Sequence, residues 1–505
     1  MKRTEELFSL IHSLDKHEKR FFKLSASIEA GEKQYMRMFD IIVSQSVYNE
    51  EEILRTLRIS KNVLAFQKNY LQRLILNHIT FLHCTRKNNT QFLFTQAELL
   101  RNKGLYSQLT KLLRKIKEQA RGSDTHTTQL DIAGMEHGLA WKDQRLDDAI
   151  TAIEEKKKIL SVIKRETEYH SLANEIIIKL VRLGDASKTE IIKQLKSLVN
   201  DPLIRNEKNA ISFRCRNYLF HAMSLYHSVT GSQAKQYLYA KKNFDLFSSP
   251  ERTKNFTMNQ VFAIHNLVAG CNAVKKYDEA KQYLDVLLTS SASLVSQREK
   301  IWVFFTFYDN SFDYYINTGQ FKEGALFTEQ HEEKIHKLAA KLDVMQLVML
   351  YFLIARIYFG NGNFTKCIEW MNRIRHEEER SVRIRPDLEA STKLFFLIAH
   401  YEKGNSDLVP YLSKSLHRHL RGEKRLFKTE SLLLDFFGKR IGKAESQKER
   451  IKELRKLKAE LLPLLDVPYE SALLKQFDYI AWIDSKIENR PFAEVVQDKA
   501  KLIKG

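Results

Sequence analysis

The sequence predicts an all-α protein, and three observations carry that expectation. Prolines and glycines are sparse, seven and 17 in 505 residues, with no proline before Pro202; sheet-rich and α/β folds need more turn punctuation than this, and long helices need less. Apolar residues recur three and four apart along most of the chain, the period of a helix buried on one face. A pattern of helix, tight turn and second helix returns every forty-odd residues, the mark of a repeat architecture.

The clearest copy is YFLIARIYFGNGNFTKCIEWMNRI, with Tyr351, Ile354, Ala355, Tyr358, Gly362, Phe364, Cys367, Met371 and Ile374 in register. A second places Leu93, Ala97, Leu100, Gly104, Tyr106, Leu109, Leu113 and Ile116 the same way. The glycine closes the first helix where positive φ is needed, and the aromatic beyond it packs back across the turn. Looser copies turn at Leu146, Gly231, Tyr277 and Gly319, with weak ones near Gly184 and Gly404; the Ala234 and Ala280 copies share AKQYL. Equivalent positions fall at Leu109, Ala149, Ala234, Ala280, Gly324, Cys367 and Val409, at intervals of 40, 85 (two units), 46, 44, 43 and 42.

This grammar resembles the tetratricopeptide repeat. The resemblance covers about residues 91–415 and implies a right-handed solenoid of helical hairpins. The standard unit has roughly 34 residues, so each helix here should be longer by about a turn, which alters pitch and groove depth but not the hairpin. Residues 1–90 lack the grammar and read as helices at 4–13, 15–27, 34–46, 50–58 and 61–84. Residues 416–505 read as a C-terminal helical cap, since the end units of a solenoid must cover an exposed apolar face. Ser249-Pro250, Arg385-Pro386, Val467-Pro468 and Arg490-Pro491 each put proline where a helix can start.

Charged residues make up 29% of the chain and leave a net charge of +20, a balance that suits nucleic acid, anionic lipid or an acidic protein as well as a plain solvated surface. The N-terminal segment has no uninterrupted apolar stretch and reads as no secretory signal, and no run of about 18 apolar residues suggests a membrane span. Cys84, Cys215, Cys271 and Cys367 lie far apart and read as reduced thiols of a cytoplasmic protein.

No phosphate loop, nucleophile elbow or metal-ligand spacing stands out, so neither enzyme activity nor a cofactor is expected. His331 and His336 are five apart, about 140° around a helix, where a zinc pair should be four apart. His78, His83 and Cys84 lack a fourth ligand and read as residues at a helix end. Residues 301–316, IWVFFTFYDNSFDYYI, are unusually aromatic; most of these rings read as core, while Tyr308 and Tyr315, seven apart, could face a groove. The basic run from Lys414 to Lys458 interleaves its signs at Glu449, Lys452, Glu453 and Lys456, the pattern of a solvated face. Residues 48–84 can also be read as helix-turn-helix, with Ser60 as N-cap and Lys61, Asn62, Gln67, Lys68 and Arg73 exposed, although Val63, Leu64, Phe66, Tyr70, Leu71, Leu74 and Ile75 look like bundle core.

The expected function is a non-catalytic scaffold or adaptor. It would hold a protein or peptide, of acidic character, between Tyr308, Tyr315, Tyr351 and Tyr358, with Arg356 steering from the rim. The alternatives are a transcriptional regulator that binds DNA through Lys61, Asn62, Lys68 and Arg73, and a helical-repeat RNA binder.

Overall fold

A computed structural model describes residues 5–29, 34–85, 90–120, 126–182, 188–248, 257–290, 294, 297–380, 386–422, 426–467 and 470–501. Every element among them is helical and no strand occurs. None of these helices is long and apolar enough to cross a membrane. The chain forms two compact units, Met1–Ile163 and Lys164–Gly505.

The first unit opens with α1 (Glu6–Ser13), α2 (Lys16–Glu29), α3 (Gln34–Ser44), α4 (Glu50–Leu57) and α5 (Lys61–Cys84), all five close to the spans expected. Local signals set these limits. Asn49 accepts from the Glu52 N–H, Ser60 accepts from the Val63 N–H, and Arg58 adopts a left-handed φ of 53° between them; each cap satisfies an otherwise orphaned helix-end donor. Phe22 and Phe39 meet at 4.8 Å in a core with Ile11, Ile42, Ile53, Leu64, Leu71 and Ile75. Val63 and Phe66, expected in that core, are exposed instead, because the buried stripe of α5 follows Leu64, Leu71 and Ile75.

A separate core joins α6 (Thr90–Asn102), α7 (Tyr106–Ala120) and α8 (His126–Lys142) through Ala97, Leu109, Leu113, Ile116, Ile132 and Leu139. Next comes α9, a single 37-residue helix from Leu146 to Arg182. It contains no glycine or proline, so nothing stops it for about 55 Å at 1.5 Å per residue. The division between the units falls within it, inside the array expected over 91–415.

The second unit continues with α10 (Lys188–Val199), α11 (Pro202–Arg205), α12 (Phe213–Thr230), α13 (Gln233–Asp245), α14 (Met258–Ala273), α15 (Tyr277–Ser290) and α16 (Gln297–Thr318). Then follow α17 (Phe321–Gln330), α18 (Glu332–Ala339), α19 (Val344–Gly360), α20 (Phe364–Arg380), α21 (Pro386–Glu402) and α22 (Leu408–Gly422). Helices 12 and 13, 14 and 15, 16 and 17, 19 and 20, and 21 and 22 pack as hairpins; the first helices α12, α14, α16 and α19 also pack on one another in series. Gly104, Gly231, Gly319, Gly362 and Gly404, all expected at turns, have positive φ. Gln144 and Lys275 occupy the corresponding turns before α9 and α15 at φ 57° and 62°, a strain of about 1–2 kcal/mol for a residue with a Cβ. The copy near Gly184 and the helix starts at Pro250 and Pro468 lie outside the described residues; Pro386 does begin α21, and Pro491 immediately precedes a helix.

The last helices are α23 (Lys428–Asp435), α24 (Gln447–Leu461), α25 (Glu470–Gln476), α26 (Tyr479–Ile487) and α27 (Phe492–Lys501). They share one continuous core with the hairpins from Phe305 onward, so the structure shows no break near 415. Phe477 meets Phe359 at 5.2 Å and Phe395 at 5.1 Å. The Trp482 indole N–H donates to Glu402 at 2.7 Å. Farther back, the Gln497 side-chain amide donates to the Gly319 carbonyl at 3.0 Å. The C-terminal segment thus reaches from α21 to the turn after α16.

Candidate interaction site: a recessed polar row

On α16 the rings and the polar residues take different faces. Tyr308, Phe312 and Tyr315, at i, i+4 and i+7, all turn toward Phe327 of α17, with centroids 5.9, 5.7 and 5.6 Å away. Asp309, Asp313 and Asn317, again spaced by four, form the other stripe. Their counterparts are His265, Asn266 and Asn272 on α14, His221 on α12 and Arg356 on α19.

These residues touch from hairpin to hairpin. The Asn266 amide lies 2.8 Å from Nδ1 of His221, and 44 residues later in the chain the Asn310 amide lies 3.0 Å from Nδ1 of His265. The two members of each contact are 45 residues apart, so one interaction is made twice at the repeat interval. Asn272 donates to Asp313 Oδ2 at 2.9 Å, and Asn317 donates to the Asp313 backbone carbonyl at 2.8 Å. An amide N–H on Nδ1 leaves the imidazole proton on Nε2 and holds the ring neutral.

His221, His265, Asp309, Asp313 and Arg356 keep some accessible surface although protein crowds each of them. That combination belongs to the floor of a recess. Burial pushes His265 down to about 4, reinforced by His221, and pushes the Asp309 carboxyl up to about 7, reinforced by Asp313. Burial also raises Asp313 and lowers His221 and Arg356. The floor near neutral pH therefore offers amides, neutral imidazoles, a half-ionised Asp309 carboxyl and the raised Asp313 carboxyl, with one guanidinium at its far end. It can form many hydrogen bonds and carries little net charge.

The positions expected to line a groove are corrected by this geometry. Tyr308, Tyr351 and Tyr358 are buried in the core. Tyr351 packs on Trp370 at 5.2 Å, and the Lys366 ammonium lies 5.1 Å from the Tyr358 ring centre. Tyr315 is half-buried and spends its ring on Phe327. A seven-residue spacing established a shared face, but that face meets α17 rather than solvent. Arg356 is not at the rim: it belongs to the recessed row. The signal for the row was present as DNSFDYYIN, where Asp309, Asp313 and Asn317 make a polar stripe on an otherwise aromatic helix.

The other singled-out residues are engaged in ordinary packing. Lys68 pairs with Glu50 at 2.5 Å and lies over Tyr48, so it is not a free exposed cation as expected. Lys61, Asn62 and Arg73 are exposed, and Gln67 is half-buried. His83 meets Glu18 at 2.7 Å, while the His78 ring packs edge-on to Phe22. His331 bonds the Phe327 carbonyl and His336 stacks on Trp370. In the basic run, Arg440 takes Glu453 at 2.6 Å and Glu460 at 2.7 Å, drawing Glu453 away from the same-helix pairing expected of it.

No protein-family model matches this chain, and no curated protein matches it.

Proposed function

We propose that the chain is a non-catalytic scaffold or adaptor of the cytoplasm, a tetratricopeptide-like right-handed stack of long hairpins that holds a protein or peptide in its concave face. The observation that carries the reading is the His–Asn contact made twice at the repeat interval, between His221 and Asn266 and between His265 and Asn310. A polar contact repeated between successive first helices gives a row with regular spacing, suited to the regular donors and acceptors of an extended backbone. Asparagine suits that use because one side chain carries both a donor and an acceptor. The near-neutral floor favours a backbone over a highly charged segment. The thiols of Cys84, Cys215, Cys271 and Cys367 are unpaired, in keeping with a reducing compartment.

The test is affinity capture from the native host, with and without nuclease, using wild type and Asn266→Leu/Asn310→Leu. The scaffold reading expects a nuclease-resistant protein partner that the variant loses while its far-UV circular dichroism is kept. Equal capture by a folded variant, or loss of all partners to nuclease, would remove it.

A second reading, DNA binding by the first unit, draws on the three-residue turn between α4 and α5 and the exposed Lys61, Asn62 and Arg73. Glu50, Glu51 and Glu52 crowd the adjacent first turn of α4, where a phosphate backbone would be repelled. Salt-dependent duplex binding abolished by Lys61→Glu/Arg73→Glu would favour it; no duplex shift at low salt excludes it.

A further inference from the structure

A cavity of about 260 Å³ lies where α27 crosses the hairpins, between the turn before α15, the end of α16, α19 and the C-terminal helices. Its polar lining consists of Lys275, Tyr277, Asn317, Arg356, Asp478 and Lys499. Phe321, Phe477 and Phe492 form an aromatic wall, with Phe477 stacked on Phe492 at 5.5 Å.

The charges do not cancel. Both Asp478 oxygens lie 3.1 Å from the Lys499 ammonium, so that pair is satisfied. Arg356 closes no ion pair with any described residue, and its Nε is buried without a hydrogen-bond partner. Asp313 is near enough to act on it electrostatically, yet it takes the Asn272 amide instead. A recessed guanidinium with an unused donor is costly unless something else completes it. Lys275 also forms no ion pair with any described residue, and it holds a left-handed φ of 62° at a turn where neighbouring hairpins use glycine.

We propose that this cavity binds a phosphoryl group or a similar dianionic oxyanion, gripped by the Arg356 fork and the Lys275 ammonium, with the Asn317 amide as a further donor. Two cations outside any ion pair, only partly offset by the more distant Asp313 and Asp478, match a dianion better than a single carboxylate. The planar guanidinium suits a tetrahedral oxyanion through two parallel N–H bonds. The phenylalanine wall would receive whatever carries the phosphate, either a phosphorylated residue of a partner or a small phosphate ester.

The purified full chain is titrated calorimetrically with sodium phosphate, with glycerol phosphate, and with a phosphoserine peptide beside its unphosphorylated twin, all against chloride at equal ionic strength. Saturable binding to at least one phosphate-bearing probe is expected. Binding of the phosphopeptide alone assigns the group to a partner, and binding of glycerol phosphate without the peptide assigns it to a small ligand. Arg356→Met should abolish binding. Lys275→Gly should weaken it roughly tenfold, about the loss of one charge-assisted hydrogen bond, without lowering the thermal midpoint, since glycine relieves the strained turn. Absence of saturable binding to every phosphate probe, peptide binding that ignores the phosphate, or wild-type affinity in Lys275→Gly would overturn the proposal. The measurement needs no protein partner, so it stands or falls separately from the scaffold reading.

Discussion

Phe359 of α19 and Phe477, just before α26, test whether the C-terminal helices are structural members of the hairpin core. The rings are nearly perpendicular at 5.2 Å, and both residues are almost fully buried. They also share neighbours: Phe395 lies 5.1 Å from each, and Phe492 lies 5.8 Å from Phe359 and 5.5 Å from Phe477. Truncating either ring to alanine removes its transfer free energy and leaves a cavity, about 3–5 kcal/mol. An edge-to-face pair contributes about 0.5–1.5 kcal/mol beyond area. Because the two cavities would merge among shared rings, the double variant should be less destabilised than the sum of the singles by about 1–2 kcal/mol.

Urea denaturation followed by tryptophan fluorescence suits the measurement in a background where Trp141, Trp302 and Trp370 are replaced by phenylalanine, because the remaining, fully buried Trp482 then reports on the C-terminal helices themselves. Phe359→Ala combined with Phe220→Ala serves as a control, since Phe220 belongs to a different core cluster; that pair should be additive within about 0.5 kcal/mol. Additivity of Phe359→Ala and Phe477→Ala, or a Trp482 transition at lower urea than the rest of the second unit, would refute the shared core.

Gly319→Ala meets both a φ of 69° and a Cβ position 2.8 Å from the Gln497 nitrogen, whereas Gly362→Ala has a similar φ of 76° and open space. Both should lose about 1–2 kcal/mol from backbone strain, and Gly319→Ala a further 1–3 kcal/mol or so from overpacking, together with increased proteolysis within Phe492–Lys501; equal losses would deny that α27 sits against that turn. Gln144→Gly should stabilise the first unit by about 1 kcal/mol in thermal denaturation by relieving its left-handed φ, and a destabilised variant would argue against that turn. Asp309, raised to about 7 from 3.8, favours the fold at low pH and loses that contribution as pH rises through about 7; His265, lowered to about 4 from 6.5, contributes above 6.5 and loses it as pH falls toward 4. The two slopes oppose each other, so Asp309→Asn should make stability fall more steeply on acidification from pH 6.5 to 4.5 and decline less from 6.5 to 8. Urea midpoints across that range that parallel wild type would contradict the recessed placement of Asp309.

What was legible in the sequence was local. Asn49, Ser60 and the turn glycines act within a few residues of themselves, and the helices of residues 5–84 begin and end close to where those signals put them. The long α9 was missed because the repeat period suggested interruption, whereas the chain between Leu146 and Arg182 contains no residue that breaks a helix. The site was missed for a different reason. Tyr308 and Tyr315 share a face by spacing, but spacing does not say which neighbour the face meets; that depends on Phe327, across a turn. The His221–Asn266 and His265–Asn310 contacts join helices 45 residues apart, beyond the reach of any local rule, although the polar stripe of Asp309, Asp313 and Asn317 was available to choose between the two faces of α16.

The polar row also restricts where a partner can bind. At Arg356 and Gly319 the C-terminal segment already packs against the first helices, through Asp478, Phe492 and Gln497, and Tyr479 is buried close enough to influence the guanidinium electrostatically. His221, His265 and Asp309 do not line that cavity and retain accessible surface. A peptide that used the whole row would have to lift α27 off Gly319, losing the Gln497 hydrogen bond and the stacking of Phe492 on Phe477. A peptide confined to α12, α14 and the first half of α16 would leave those contacts alone. The second course is the less costly one, so the scaffold reading places its partner over His221, His265 and Asp309 and leaves the Arg356 cavity to a small anionic group.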